Sequence, residues 1–97
     1  MTYRQAVASA RALKTIRRLA RAARWELTGH AIARMTERGF GHKDILAVLG
    51  GAGTTCRRGE PGRWRLDGSA RGGDPLSLSV EIRELVVVVT LFGGDEP

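Results

Sequence analysis

Leu76-Ser77-Leu78-Ser79-Val80-Glu81-Ile82-Arg83-Glu84-Leu85-Val86-Val87-Val88-Val89-Thr90-Leu91-Phe92 carries two kinds of strand in succession. From Leu76 to Arg83 apolar and polar side chains alternate strictly, the period-two pattern of a strand with one wet face. Leu85 to Phe92 has a single polar side chain, Thr90. An unbroken apolar run of that length predicts a central strand covered on both faces or nearly so. A tight turn near Arg83-Glu84 joins the two as an antiparallel pair.

Outward from this pair, Gly68 to Pro75 is a glycine-rich loop. Thr54 to Arg58 and Gly62 to Leu66 are predicted as two further strands around a Gly59-Glu60-Pro61 turn. Trp64 and Leu66 share one face of the second of these, and Arg63 and Arg65 the other. Before Gly50-Gly51 the period becomes helical. Residues 3–25 contain no glycine or proline and are rich in alanine, leucine and arginine, which predicts one long helix. On a helical projection Ala6, Leu13, Ile16, Ala20 and Ala23 gather on one side and Arg4, Arg11, Lys14, Arg18 and Arg21 on the other. A second helix is expected between Thr28 as N-cap and Gly39 as a left-handed C′ residue, with Phe40 packing behind it. A third opens at Gly41 or His42 and carries Ile45, Leu46, Val48 and Leu49. Helices followed by strands imply an α+β domain over residues 1–97. The expectation is three N-terminal helices packed on one face of a roughly four-stranded antiparallel sheet, with 93–97 as a short acidic tail.

The formal net charge is +6, and it is unevenly placed. Residues 1–24 hold seven cations and no acid, residues 25–49 balance, and residues 50–97 have one more acid than base. Such asymmetry points to an anionic partner, with nucleic acid ahead of membrane. Three readings of the basic first helix stand side by side. It is the solvated face of a packed helix, a phosphate-contacting surface, or a transit-peptide or membrane-surface helix. The single cysteine, Cys56, excludes an internal disulfide and a cysteine-built zinc site. No segment is apolar over the length of a membrane span, and no secretory pattern follows the early basic residues, so a cytoplasmic protein is expected.

The chemistry-bearing residues are cationic. His30, Arg34 and Arg38 recur every four residues and line one face of the second helix, with Ala31, Ile32 and Met35 as its apolar face. Arg57, Arg58, Arg63 and Arg65 gather on the early strands. No pair of catalytic carboxylates, Ser-His-Asp arrangement or metal-ligating cluster can be assembled, so no metal or other cofactor is expected. Gly51-Ala52-Gly53 is not followed by a helix and is no nucleotide fingerprint. The helix pair over 28–50 has the outline of a helix-turn-helix. Its second helix, however, offers only Lys43 and Asp44 for base readout, which argues against DNA recognition there.

His30-Ala31-Ile32-Ala33-Arg34-Met35-Thr36-Glu37-Arg38-Gly39-Phe40 resembles the His-Ala-x-x-Arg-Met-x-x-Arg-Gly-hydrophobic signature of a small bacterial family of unknown function. That family is distantly similar to the MqsR, BrnT and RelE groups of toxin-antitoxin proteins. Lys43 to Leu49 and Leu85 to Phe92 fit the same pattern, so the resemblance spans residues 28–92. It implies a RelE- or MqsR-like α+β fold, metal-independent cleavage of mRNA, free or ribosome-bound, and neutralisation by an antitoxin protein. Such cleavage needs a proton carrier, cations around the developing phosphorane charge, and an acid for the leaving oxygen. His30 is then the candidate proton carrier and Arg34 the bidentate phosphate ligand, with Arg65 as the opposing catalytic cation. Arg38, Arg57, Arg11, Lys14, Arg18 and Arg21 are candidate nucleic-acid contacts. The alternative is a non-catalytic module that binds nucleic acid or protein through the basic first helix.

Overall fold

The computed structural model describes residues 2–94. In chain order the elements are α1 (Tyr3–Arg21), β1 (Trp25–Leu27), α2 (Gly29–Arg38), α3 (His42–Gly50), β2 (Thr55–Arg58), β3 (Trp64–Ser69), β4 (Pro75–Ile82) and β5 (Val86–Gly93). The α+β class and the three helices are as expected, but the sheet has five strands and is mixed. Its order is β1-β5-β4-β3-β2, with β1 parallel to β5 and the other pairs antiparallel. Residues 95–97 of the expected acidic tail lie outside the described residues.

The first helix is shorter than its composition predicts. It ends at Arg21, and Ala23 turns the chain through a left-handed conformation (φ 57°). Trp25–Leu27 then pairs with Val86–Val88 as β1, a strand absent from the sequence reading. Three residues cannot hold themselves extended; the pairing groups come from β5, some sixty positions away, and no local pattern announces them. The buried line of α1 is also rotated from the projection. Ser9, Ala12, Ile16 and Leu19 are buried, whereas Ala6 and Ala23 are exposed.

Cross-strand partners share a sheet face. Leu66 opposes Leu78, Leu78 opposes Leu91, Val80 opposes Val88 and Ile82 opposes Val86. These side chains join Ile16 and Leu19 of α1, Ala31 and Met35 of α2, and Ile45, Val48 and Leu49 of α3 in one cluster. The helices therefore cover one face, and the other lies open. Gly68 marks how closely α3 approaches that covered face: a Cβ there would stand 3.3 Å from Val48 Cγ1 and 2.7 Å from Thr54 Oγ1. Ile32, placed by the sequence pattern on the apolar face of α2, is 52% exposed.

The apolar run of β5 is not the middle of the sheet. It lies one strand from the edge, and β4 is central. Its register shifts between Ser79 and Val80, so that Val89 is an extra residue. This bulge lets Val86, Val88 and Leu91 all face the helices. Beyond β1 the edge of β5 is closed by the start of α2. The Thr28 amide donates to the Val88 carbonyl (3.0 Å) and the Thr28 hydroxyl to the Val89 carbonyl (2.7 Å). The same hydroxyl accepts from the Ala31 amide (3.1 Å) as the N-cap of α2. Thr28→Val removes the cap and leaves the Val89 carbonyl unpaired. It is expected to cost about 1–3 kcal/mol in urea unfolding, with most of the loss restored by Thr28→Ser.

Candidate nucleic-acid interface

The residues proposed for chemistry fall into three places. On α2, His30 and Arg38 are exposed while Arg34 is half-buried. Arg34 Nε donates to the Leu91 carbonyl (3.3 Å), and Nη1 meets Glu37 Oε2 (3.3 Å). Arg34 thus continues the seal that Thr28 begins along the β5 edge, a role that follows from β1 stopping at Leu27.

Arg57 and Arg65 stand on the open sheet face, in a cross-strand row with Ser79 and Thr90. The neighbouring row is Thr55, Asp67, Ser77 and Phe92. Asp67 holds both arginines: Arg65 Nε lies 3.1 Å and Arg57 Nε 3.3 Å from its carboxylate. Ser77 Oγ donates to the same carboxylate at 2.6 Å. Partial burial pushes the Asp67 carboxyl up, but the Ser77 hydrogen bond and the two guanidinium groups outweigh it and hold the group below its ordinary value. Arg65 also lies over the Phe92 ring, 5.0 Å from its centroid. Toward the turn, Arg63 contacts Glu60 (3.2 Å) and Glu81 (3.3 Å), and Arg83 contacts Glu81 (2.8 Å). Each arginine of this face thus has a carboxylate partner. Asp67 and Glu81 were not singled out in the sequence, although their period-two spacing from Arg65 and Arg83 is visible there.

The remaining cations line α1. Arg4, Arg11, Lys14, Arg18 and Arg21 are exposed on the side opposite Ser9, Ala12, Ile16 and Leu19. Among the described residues none of the five makes an ion pair, and α1 contains no acid. Like charges at this spacing oppose the helix by about 0.2–0.5 kcal/mol per pair. A groove of about 1050 Å³ runs beside them, with exposed Ala10 and half-buried Leu13 between Lys14, Arg17, Arg18 and Arg21. Arg17 differs from its neighbours: it is half-buried and donates to the Gly51 carbonyl (2.7 Å), tying α1 to the end of α3.

Trp64 is half-buried against the core, and Arg58 sits over its ring, 4.7 Å from the centroid. Cys56, on the helix side of β2 opposite Leu66, is half-buried. Burial first, and the Asp67 charge second, raise its thiol to about 11, so it is protonated near neutral pH and unsuited to nucleophilic work. No group of three or more His, Cys, Asp or Glu among the described residues is placed to hold a metal ion. No helix among them is long and apolar enough to cross a membrane.

The chain matches no family model, no curated protein and no solved structure.

Because the folded-state value of Asp67 is depressed, its contribution to stability is present above the unfolded carboxyl value, near 3.9, and is lost as pH falls through the folded value. Asp67→Asn is expected to lower the melting temperature at pH 7. The same substitution should flatten the decline that wild type shows on acidification below about pH 4. Equal acid dependence in the two proteins would contradict this assignment.

Proposed function

We propose that this domain binds RNA through the cationic face of α1, as a phosphate-contacting module. The observation that carries the reading is the contrast between two sets of cations. Those of the open sheet face are paired with Asp67, Glu60 and Glu81, whereas the five on α1 have no carboxylate partner among the described residues. Arg4 to Arg21 span about 25 Å along the helix axis, long enough to follow several successive phosphates. Binding a polyanion relieves the like-charge repulsion along the helix and releases condensed counterions.

This reading is preferred to metal-independent cleavage by a toxin-like ribonuclease for a geometric reason. Cleavage concentrates a proton carrier and uncompensated cations around one phosphorus. Here His30 stands exposed on α2, Arg34 is engaged with Glu37 and the β5 edge, and Arg65 and Arg57 share Asp67. An antitoxin partner belongs to the cleavage reading and is tested with it.

Fluorescence anisotropy with a labelled single-stranded RNA, between about 50 and 200 mM salt, tests the proposal. Affinity is expected to fall steeply with salt. Replacing Arg11, Lys14, Arg18 and Arg21 together by Gln should reduce the slope of log affinity against log salt by about 3, at roughly 0.7 per lost contact. A flat salt response, or an unchanged slope in the variant, overturns it. The RNA is expected to stay intact. Cleavage abolished by His30→Ala and Arg34→Ala would establish the ribonuclease instead.

A further inference from the structure

The five exposed cations of α1 do not lie in one line. Arg4, Arg11 and Arg18 are seven residues apart, and so are Lys14 and Arg21. Seven residues make almost two whole turns, so each set forms a row with a step of about 10.5 Å along the axis. Lys14 and Arg21 each follow a member of the first row by three residues, which turns the second row about 60° around the helix. A single line of phosphates needs one such row; this helix carries two, side by side and staggered.

The rows stand on a stiff support. The capping box of Thr2 and Gln5 fixes the first turn (2.9 and 3.1 Å), and Ser9, Ala12, Ile16 and Leu19 form the buried line. Arg17 ties the later turns to the Gly51 carbonyl (2.7 Å). A rigid double row loses little freedom against a rigid partner, whereas a flexible strand must be straightened to follow it.

Proteins that hold single strands add aromatic side chains on which successive bases stack. Among the described residues one aromatic is exposed, Tyr3 in the first turn of α1 (85%). Trp64 lies under the Arg58 guanidinium, Phe92 under that of Arg65, and Trp25 beside the His42 ring (6.0 Å between centroids). Phe40 packs against the core. One tyrosine is no platform for successive bases. A duplex needs none, because its bases are already stacked and double-stranded RNA is recognised by shape, phosphates and 2′-hydroxyls. The packing of α1 also bears on the form of the duplex. Between Ala6 and Arg21 the exposed residues are Ala6, Ala10, Arg11, Lys14, Arg18 and Arg21, which fall within less than half of the circumference. The rest of the helix packs on β2 and α3. A helix covered to that extent cannot sink into the major groove of B-form DNA, about 8.5 Å deep. It can lie across the phosphates that flank the narrow major groove of an A-form duplex.

We propose that the RNA bound by α1 is double-stranded, with Arg4, Arg11 and Arg18 on the phosphates of one strand and Lys14 and Arg21 on those of the other. This inference rests on the RNA-binding reading of the same face and adds to it the form of the nucleic acid.

Fluorescence anisotropy at one ionic strength compares a labelled RNA duplex of about 16 base pairs, each of its strands alone, and a DNA duplex of the same sequence. The RNA duplex is expected to bind about tenfold or more tighter than either strand or the DNA. Two variants separate the rows: Arg4, Arg11 and Arg18 all to Gln, or Lys14 and Arg21 both to Gln. Glutamine is a good helix former and relieves the like-charge repulsion, so both variants keep the fold. Each should bring the duplex to within about threefold of the strands, because either loss leaves one strand of the duplex without contacts. The strands, which can follow either row, should lose less. Equal losses for duplex and strands overturn the two-row assignment. Strands bound as tightly as the duplex, with a steep salt response, leave the RNA-binding reading standing and overturn this one. A DNA duplex bound as tightly as the RNA duplex overturns the A-form partner. If no RNA binds, or all bind without salt dependence, the RNA-binding reading falls and this inference with it.

Discussion

The hydroxyl of Thr28 is the point on which the two layers of this domain are registered. It donates to the Val89 carbonyl at the β5 bulge and accepts from the first turn of α2, while the amide of the same residue continues the ladder begun by β1. One residue therefore ends a strand, starts a helix and closes the edge of another strand. The bulge it holds turns Leu91 to the helix side along with Val86 and Val88. Without that adjustment, strict alternation along β5 would carry Leu91 to the open face, and the core would lose a fully buried side chain.

From this arrangement follows the division of the cations. With three helices on one face, every arginine of the strands that points away from them shares an open surface with Asp67, Glu60 and Glu81, and is paired there. Arg34 is drawn to the β5 edge because β1 is too short to cover it. Among the described residues the cations of the outer side of α1 have no carboxylate partner, and neither has Arg58, which lies over Trp64. Charge in this protein is abundant, and among the described residues the longest row of cations without a carboxylate partner is the outer side of α1.

Much of the fold was legible from residue periodicity. The alternation at Leu76–Ile82, the caps at Thr28 and Gly39, and the basic outer side of α1 all stand as read. Each is a local feature, set by neighbours within a turn or a strand. The misreadings share a cause of the opposite kind. Ala6 and Ile32 looked apolar enough for the core, yet which line of a helix is buried depends on where the sheet meets it. Arg57 and Arg65 looked like available cations, because Ser77 and the register that sets Asp67 between them lie in contacts across strands.

By itself the sequence determined the order of the three helices and the four later strands, the polar and apolar faces of β3 and β4, and the concentration of positive charge in the first helix. These depend on spacings of two, three or four residues, which the chain carries in its own backbone geometry. Only the tertiary structure decided that Trp25–Leu27 is a parallel strand, that Val89 is a bulge, and that Asp67 reaches Arg57 across two strands. Those outcomes join groups about ten to sixty residues apart. Such pairings are chosen by the packing of the whole domain rather than by any segment's intrinsic preference.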